Sequence, residues 1–245
     1  MCFRRKAILL IHGFVGGNYD YGNFQNELEY IRNFDVFTFT LPSHDKVIVK
    51  DVKYEEWIHE SERQIELLIN HGYKTIYVIG HSMGGVIAAH LASIYPQVKK
   101  LVLVAPAFRY FYFKDGKVNI KGMNDTLKNL PDIMKNMGTE KVLERITKTP
   151  ISTMLEFTKL VNSCIEDTKK ITCPTLIIRG TNDQIVPTES TDYVHNSINS
   201  KCNILINVDK VTHDCFTKER KEEVKEQIIY FLKKNPKNKK EIINI

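Results

Sequence analysis

The sequence predicts an α/β protein with a mostly parallel, six-stranded sheet and helices on both faces. Apolar runs of strand length alternate along the chain with amphipathic helical patterns, a rhythm typical of parallel sheets joined by crossover helices. A Gly-x-Ser-x-Gly sequence at residues 80–84 lies between one such run and one such helix. With 245 residues the chain can bury one sizeable core, so a single domain is expected.

Two strands and two helices are predicted before the serine motif. Residues 7–11 form a wholly apolar run, as expected for a parallel strand that is covered on both faces. Residues 24–31 predict a helix, and residues 35–41 predict the second strand. The segment Tyr54–Asn70 predicts a long amphipathic helix, because its apolar residues recur at helical spacing while Glu and Arg fill the other face.

The serine motif fills the turn between a buried strand at residues 75–79 and a helix at residues 86–92. A serine hydroxyl is a poor nucleophile until a base removes its proton. A sharp strand-to-helix turn lifts the hydroxyl of Ser82 clear of the backbone. Side chains two residues before and two residues after it would collide with the neighbouring strand and helix, which explains Gly80 and Gly84.

Residues 106–170 interrupt the alternation of strands and helices. We expect a core domain of residues 1–105 and 171–245, with residues 106–170 inserted as a helical cap over the carboxyl ends of the strands. The remaining predicted elements are a hairpin that turns at residues 115–116, helices at 125–137, 139–147, 151–167, 189–198 and 217–234, and strands at 98–105, 173–180 and 203–208.

The loops after the last two predicted strands carry an acid and a base for the serine. Asp183 lies in the first of these loops and His213 in the second. The chain order Ser82, Asp183, His213 is the order expected when the nucleophile lies on a strand-to-helix turn. Histidine has a suitable pKa for a general base, and the acid would orient it. Asp214 is an alternative acid, but it adjoins His213 and suits the start of the following helix better.

An anionic tetrahedral intermediate requires hydrogen-bond donors that are fixed in advance. The backbone N–H of Met83, next after the serine, is one predicted donor. The other is the N–H of Phe14 in the glycine-rich loop after the first strand, where Gly13 lets the backbone turn closely. We interpret His12 in the same loop as structural rather than catalytic.

Segments of the chain resemble the α/β-hydrolase superfamily, and within it the small bacterial carboxylesterases and monoacylglycerol-lipase-like enzymes. They are residues 8–14 (ILLIHGF), 80–85 (GHSMGG), 180–187 (GTNDQIVP) and 212–213 (TH). The resemblance implies the α/β-hydrolase fold, with Ser82 as nucleophile, Asp183 as acid, His213 as base, and the Phe14 and Met83 N–H groups as oxyanion donors.

The sequence departs from the family pattern at three places. Thr212 stands where the family often has a glycine before the histidine, and residues 42–45 (PSHD) replace its Pro-Gly-His-Gly. We expect both changes to alter the shape of the loops and to leave the catalytic chemistry unchanged. The first two strands of the full fold are also missing, so the sheet should start with residues 7–11.

These residues predict a serine hydrolase that cleaves carboxylic esters, with no metal or cofactor. The alternatives are a thioesterase, a C–C bond hydrolase, a lactonase, a perhydrolase, or a non-catalytic receptor on the same fold. Apolar residues of the predicted cap suit a short or medium acyl ester or a monoacylglycerol: Phe108, Tyr110, Phe111, Phe113, Met123, Met134, Met137, Met154 and Leu155.

Net charge, cysteine content and hydropathy predict the cellular location and the partners of the protein. The net charge of +6 owes much to a basic run at residues 233–240, which we interpret as a solvated, fraying tail rather than a nucleic-acid or lipid site. Five scattered cysteines without C-x-x-C spacing favour reduced thiols and a cytoplasmic location, and argue against a zinc site. No apolar run reaches transmembrane length. We expect a small-molecule ester as partner, no nucleic acid and no stable membrane insertion; the sequence leaves the oligomeric state open.

Overall fold

The computed structural model describes residues 5–109, 113–114, 117–118, 148–183, 185–234 and 238–245. Its main sheet has seven strands in the order β2-β1-β3-β4-β7-β8-β9, and every neighbouring pair is parallel. The strands are β1 (Lys6–Ile11), β2 (Phe34–Thr38), β3 (Ile76–His81), β4 (Val98–Val104), β7 (Thr175–Gly180), β8 (Cys202–Val208) and β9 (Lys239–Asn244). The predicted α/β class with a parallel sheet is confirmed, and β1 is the first strand, as expected.

Helices connect these strands within the described residues. They are α1 (Phe24–Glu29), α2 (Tyr54–Asn70), α3 (Met83–Ile94), α4 (Ile151–Cys164), α5 (Thr188–Ser197) and α6 (Lys221–Lys233), with 3-10 turns at Asn18–Tyr21 and Ile165–Lys170. The last helix begins four residues later than the predicted start at residue 217. A separate turn, in which Asp214 accepts the backbone N–H of Thr217 at 3.1 Å, occupies the intervening chain.

Two apolar clusters, one on each face of the sheet, form the core. Successive residues of a strand point to opposite faces, so Ile8 and Leu10 of β1 belong to one cluster, whereas Leu9 and Ile11 belong to the other. All four are almost completely buried. The continuous apolar runs of the sequence therefore reflect strands that are covered on both sides.

The end of the 106–170 segment packs on the core. Helix α4 contributes Phe157 and Leu160 to the same cluster as the helix that follows the serine. The predicted hairpin is confirmed by the antiparallel pairing of β5 (Phe113–Lys114) with β6 (Lys117–Val118). The predicted helices at residues 125–137 and 139–147 lie outside the described residues.

The prediction of six strands and a fraying tail is wrong at the C-terminus. Residues Lys239–Asn244 form the seventh strand, β9, which pairs in parallel with β8 at the edge of the sheet. Ile243 and Ile245 pack against one of the two apolar clusters. Pairing satisfies the backbone groups on the outer edge of β8, and the two isoleucines provide the apolar contact that the basic composition obscures.

No helix among the described residues combines the length and the apolar composition needed to cross a bilayer.

Candidate active site

Ser82 lies on a sharp turn between β3 and α3. Its backbone has φ 55° and ψ −117°, a conformation that L-residues rarely adopt. Three backbone hydrogen bonds hold the turn: the Ser82 N–H donates to Val104 at 2.9 Å, and the Ser82 carbonyl accepts from Gly85 at 2.9 Å and from Ala107 at 3.2 Å. The surrounding backbone thus maintains an unfavourable local geometry, which is common where a side chain must be presented for chemistry.

The glycines on either side of Ser82 allow this close packing. A Cβ atom on Gly80 would lie 2.2 Å from the carbonyl oxygen of Gly84 and 2.7 Å from the Cβ of Ala88. A Cβ atom on Gly84 would lie 2.1 Å from the carbonyl oxygen of Ile11. The Gly-x-Ser-x-Gly motif predicts these collisions, which are with helix α3 and with strand β1.

Asp183 and His213 meet at the carboxyl ends of β7 and β8. The distance from His213 Nδ1 to Asp183 Oδ2 is 2.8 Å, and both side chains are at least nine-tenths buried. The other carboxylate oxygen of Asp183 accepts the backbone N–H groups of Ile185 and Val186, each at 2.9 Å. An acceptor at Nδ1 places the proton there and leaves Nε2 of His213 as the basic nitrogen.

Asp214 has a different role from Asp183. Its carboxylate accepts the backbone N–H and the side-chain hydroxyl of Thr217, which closes the turn after His213. A carboxylate that is used in this way does not orient the imidazole. The hydrogen-bond geometry therefore favours Asp183 over Asp214 as the acid.

The loop after β1 brings Phe14 next to the serine turn. A Cβ atom on Gly13 would lie 3.2 Å from the Cβ of Ser82, so the two backbones approach closely. Met83 is the first residue of α3, where backbone N–H groups lack an acceptor within the helix. His12 accepts the backbone N–H of Leu41 at 3.0 Å, which agrees with its interpretation as a structural residue that joins the β1 and β2 loops.

A buried ion pair, which the sequence did not indicate, links the three loops of the site. Nε2 of His81 lies 3.0 Å from the backbone carbonyl of His213, and Nδ1 lies 3.7 Å from Oδ2 of Asp20. The same carboxylate accepts the N–H of Gly13 at 3.0 Å and the N–H of Gly17 at 3.2 Å. His81, the residue before Ser82, thus connects the loop of Phe14 with the loop of His213.

The two ring nitrogens of His81 face different partners, and among the described residues Nδ1 makes no hydrogen bond. A carbonyl only accepts hydrogen bonds, so Nε2 carries a proton, and Nδ1 faces a carboxylate. Burial lowers the pKa of His81, but Asp20 outweighs burial and leaves that pKa above its usual 6.5. Burial raises the pKa of Asp20, yet His81 and the Gly13 N–H leave it below its usual 3.8. The raised pKa of His81 and the carboxylate of Asp20 at 3.7 Å thus favour the protonated form of the ring next to Ser82.

Comparison with known proteins identifies the family. Residues 4–221 match the family model Hydrolase_4, described as serine aminopeptidase, S33. The chain belongs to the S33 family of α/β hydrolases. The match covers β1 to β8, and therefore the serine turn, the loop of Asp183 and the loop of His213.

The relatives of this S33 hydrolase include ester-cleaving enzymes. It is 25% identical over 199 residues to a carboxylesterase of Bacillus subtilis, covering 79% of this chain and 78% of that protein. It is 23% identical over 201 residues to a thermostable monoacylglycerol lipase of a Bacillus species, with coverages of 79% and 77%. The crystal structure of a monoacylglycerol lipase from Paleococcus ferrophilus superimposes with a TM-score of 0.70 at 19% identity, covering 92% and 93%, which shows a shared fold.

Aromatic side chains of the S33 hydrolase cluster beside the Phe14 loop. The Phe14 ring stacks on Phe157 of α4 with centroids 5.2 Å apart, and it meets the edge of Trp57 at 6.1 Å. Of the predicted cap residues whose side chains are described, Phe108 and Met154 are buried in the core and Leu155 is 43% exposed. Tyr110, Phe111, Phe113, Met123, Met134 and Met137 lie outside the described side chains.

Proposed function

We propose that this S33 hydrolase cleaves carboxylic esters through an acyl-enzyme on Ser82. The observation that carries the proposal is the 2.8 Å hydrogen bond between Asp183 and His213, at the carboxyl ends of β7 and β8, on the same edge of the sheet as the serine turn. It supplies an oriented base with a free Nε2, which a serine hydroxyl requires. The names of the relatives, carboxylesterase and monoacylglycerol lipase, support an ester as substrate.

The reaction runs in two halves. Nε2 of His213 takes the proton of the Ser82 hydroxyl as its oxygen attacks the ester carbonyl. The N–H groups of Phe14 and Met83 hold the resulting oxyanion, and His213 then returns the proton to the departing alcohol. In the second half, the same nitrogen takes a proton from water, which releases the acid and restores the serine. Asp183 stabilises the imidazolium in both halves.

We infer that the acyl group is apolar, of short or medium length, or belongs to a monoacylglycerol. The aromatic cluster of Phe14, Trp57 and Phe157 next to the oxyanion loop supports this substrate class. We further propose that residues 106–170 act as the cap over the site. A cytoplasmic location is proposed on the four free cysteines of the described chain, which suit a reducing compartment.

Labelling with a fluorophosphonate probe tests the nucleophile. The wild-type protein should label at Ser82, should hydrolyse p-nitrophenyl esters, and should lose both properties in Ser82→Ala. Ser93→Ala is the matched control, because this serine lies on α3 and its hydroxyl bonds only to the backbone of its own helix. Turnover by Ser82→Ala at the wild-type rate would refute the assignment, and absence of labelling in the wild type would favour a non-catalytic receptor.

A substrate panel separates ester cleavage from related reactions. The family description names an aminopeptidase, so aminoacyl p-nitroanilides belong in the panel with thioesters and a p-nitrophenyl ester series of increasing chain length. The proposal predicts the highest kcat/KM on medium-chain esters. Faster turnover of an anilide than of any ester would replace it with peptidase activity.

A further inference from the structure

We propose that His90, Cys164 and Asp167 form a binding site for a zinc-type divalent transition-metal ion, remote from the serine chemistry. One potential ligand atom from each residue lies within 4.8 Å of the other two. The three residues come from different elements: His90 lies on α3, Cys164 ends α4, and Asp167 lies in the following 3-10 turn. Cys164 is completely buried and Asp167 nearly so.

The donor set favours zinc over magnesium or calcium. Thiolate, imidazole and carboxylate are the three ligand types of zinc sites, with bond lengths of about 2.0–2.3 Å. Magnesium and calcium prefer oxygen ligands alone. Side-chain adjustments of about 1 Å or less would bring all three atoms to one ion at those lengths, as judged from their present separations.

Neighbouring groups suit this ligation. Nε2 of His90 lies 3.3 Å from a carboxylate oxygen of Glu62 on α2, so Glu62 can hold the ring while Nδ1 turns to the ion. Nδ1 is now 2.7 Å from Oδ2 of Asp167, a hydrogen bond whose proton the ion would displace. Lys170 pairs with the other oxygen, Oδ1, at 2.7 Å and does not compete for Oδ2.

A cavity gives the site access and a place for a fourth ligand. It has a volume of about 170 Å³, and its lining includes His90, Cys164, His59 and Glu55. This volume holds several waters, one of which completes a tetrahedral coordination. The bound ion would tie α3, the helix that follows Ser82, to the end of the 106–170 segment, so its role is structural.

Metal titration of the chelator-stripped, untagged protein tests the site. One equivalent of Co²⁺ per chain should produce the thiolate-to-cobalt absorption band in the near ultraviolet, and Zn²⁺ should abolish it by displacement. Zn²⁺ at about a hundredfold excess over its Kd should raise Tm by roughly 5–10 °C, whereas Mg²⁺ should not. Cys164→Ser should lose the band, and Cys173→Ser, a half-buried cysteine outside the cluster, should keep it.

Two results would overturn the proposal: a wild-type protein without the cobalt band, or a band that persists in Cys164→Ser. If Cys164→Ser fails to fold, His90→Gln serves instead and should weaken Zn²⁺ binding at least tenfold, as measured by competition with a chromophoric chelator. Unchanged binding in that variant would equally refute the site. The outcome is independent of Ser82 labelling, so it leaves the proposed esterase activity untouched.

Discussion

Replacing Asp20 by asparagine should destabilise the protein in a pH-dependent way. The carboxylate faces the buried ring of His81, whose pKa it raises, and accepts two backbone N–H groups, from Gly13 and Gly17. Asparagine keeps the shape and one acceptor oxygen but removes the charge. The substitution therefore leaves His81 without a counter-charge while the loop contacts are largely retained.

The sign of the pH dependence follows from the two pKa directions. Asp20 has a lowered pKa, so its contribution to stability is present above 3.8 and is lost as the pH falls through the folded-state value. His81 has a raised pKa, so its contribution is present below 6.5 and is lost as the pH rises through the folded-state value. The contact between Asp20 and His81 thus makes its full contribution to the stability of the fold between about pH 3.8 and pH 6.5.

The expected loss of folding free energy in Asp20→Asn differs between acidic and alkaline solution. At about pH 5.5, removal of one partner of a buried ion pair costs about 3–5 kcal/mol, or roughly 6–20 °C in Tm for a chain of this size. At about pH 8.5, His81 is free to lose its proton and escape that penalty. The remaining loss, from weaker bonds to the two N–H groups, is about 1–2 kcal/mol.

Thermal unfolding of the wild type and Asp20→Asn at the two pH values measures the effect. Asp51→Asn is the control, because Asp51 is exposed and its ion pair among the described residues, with Lys50, is a surface contact of 3.8 Å. The Tm deficit of Asp20→Asn should at least double on going from the alkaline to the acidic buffer. An equal deficit at both pH values would refute the view that His81 is an imidazolium.

Further predictions concern the acid, the serine turn and the edges of the fold. Asp183→Asn should lower kcat by about 10³–10⁴ while KM and Tm change little, as followed with a p-nitrophenyl ester; a loss below tenfold would exclude its role. Gly84→Ala should cost at least 3 kcal/mol or prevent folding, because its Cβ would lie 2.1 Å from a carbonyl oxygen, and urea unfolding measures this. Lys100→Met should cost about 1–3 kcal/mol more than the exposed control Lys99→Met, since the Lys100 ammonium donates to backbone carbonyls at the end of α6 at 2.8 and 2.9 Å. Deletion of residues 239–245 should lower Tm and promote self-association, because it exposes the edge of β8; a monomer of wild-type Tm would contradict this.

Local patterns predicted most of the described elements. The helix Tyr54–Asn70 has the bounds expected from its apolar periodicity, and apolar runs marked the six strands from β1 to β8 in the main sheet. Strand β9 was missed because lysines and asparagines precede its few apolar residues. Its pairing with β8 joins residues 37 positions apart in the chain, such as Asn207 and Asn244, and no local period encodes it.

The candidate site was predictable where it follows a motif and unpredictable where it does not. Ser82, Asp183 and His213 are predicted as one candidate site because each lies within five residues of the end of a strand, and parallel strands end at one edge of the sheet. Asp20 gave no such signal, since it stands in an aromatic turn without a motif. His81 occupies a variable position of Gly-x-Ser-x-Gly, so the motif does not predict that its ring lies 3.0 Å from the carbonyl of His213.

The fold class, the serine turn and the chain order of Ser82, Asp183 and His213 can be read from the sequence, because they depend on short-range periodicity and on steric limits within a few residues. Which groups share a buried environment depends on the tertiary structure. It brought Asp20 to His81, and it brought His90 to Cys164 and Asp167, more than seventy positions apart in the chain. Charge pairing and ligand clusters depend on distances in space, and burial strengthens them by removing water, so neither can be deduced from spacing along the chain.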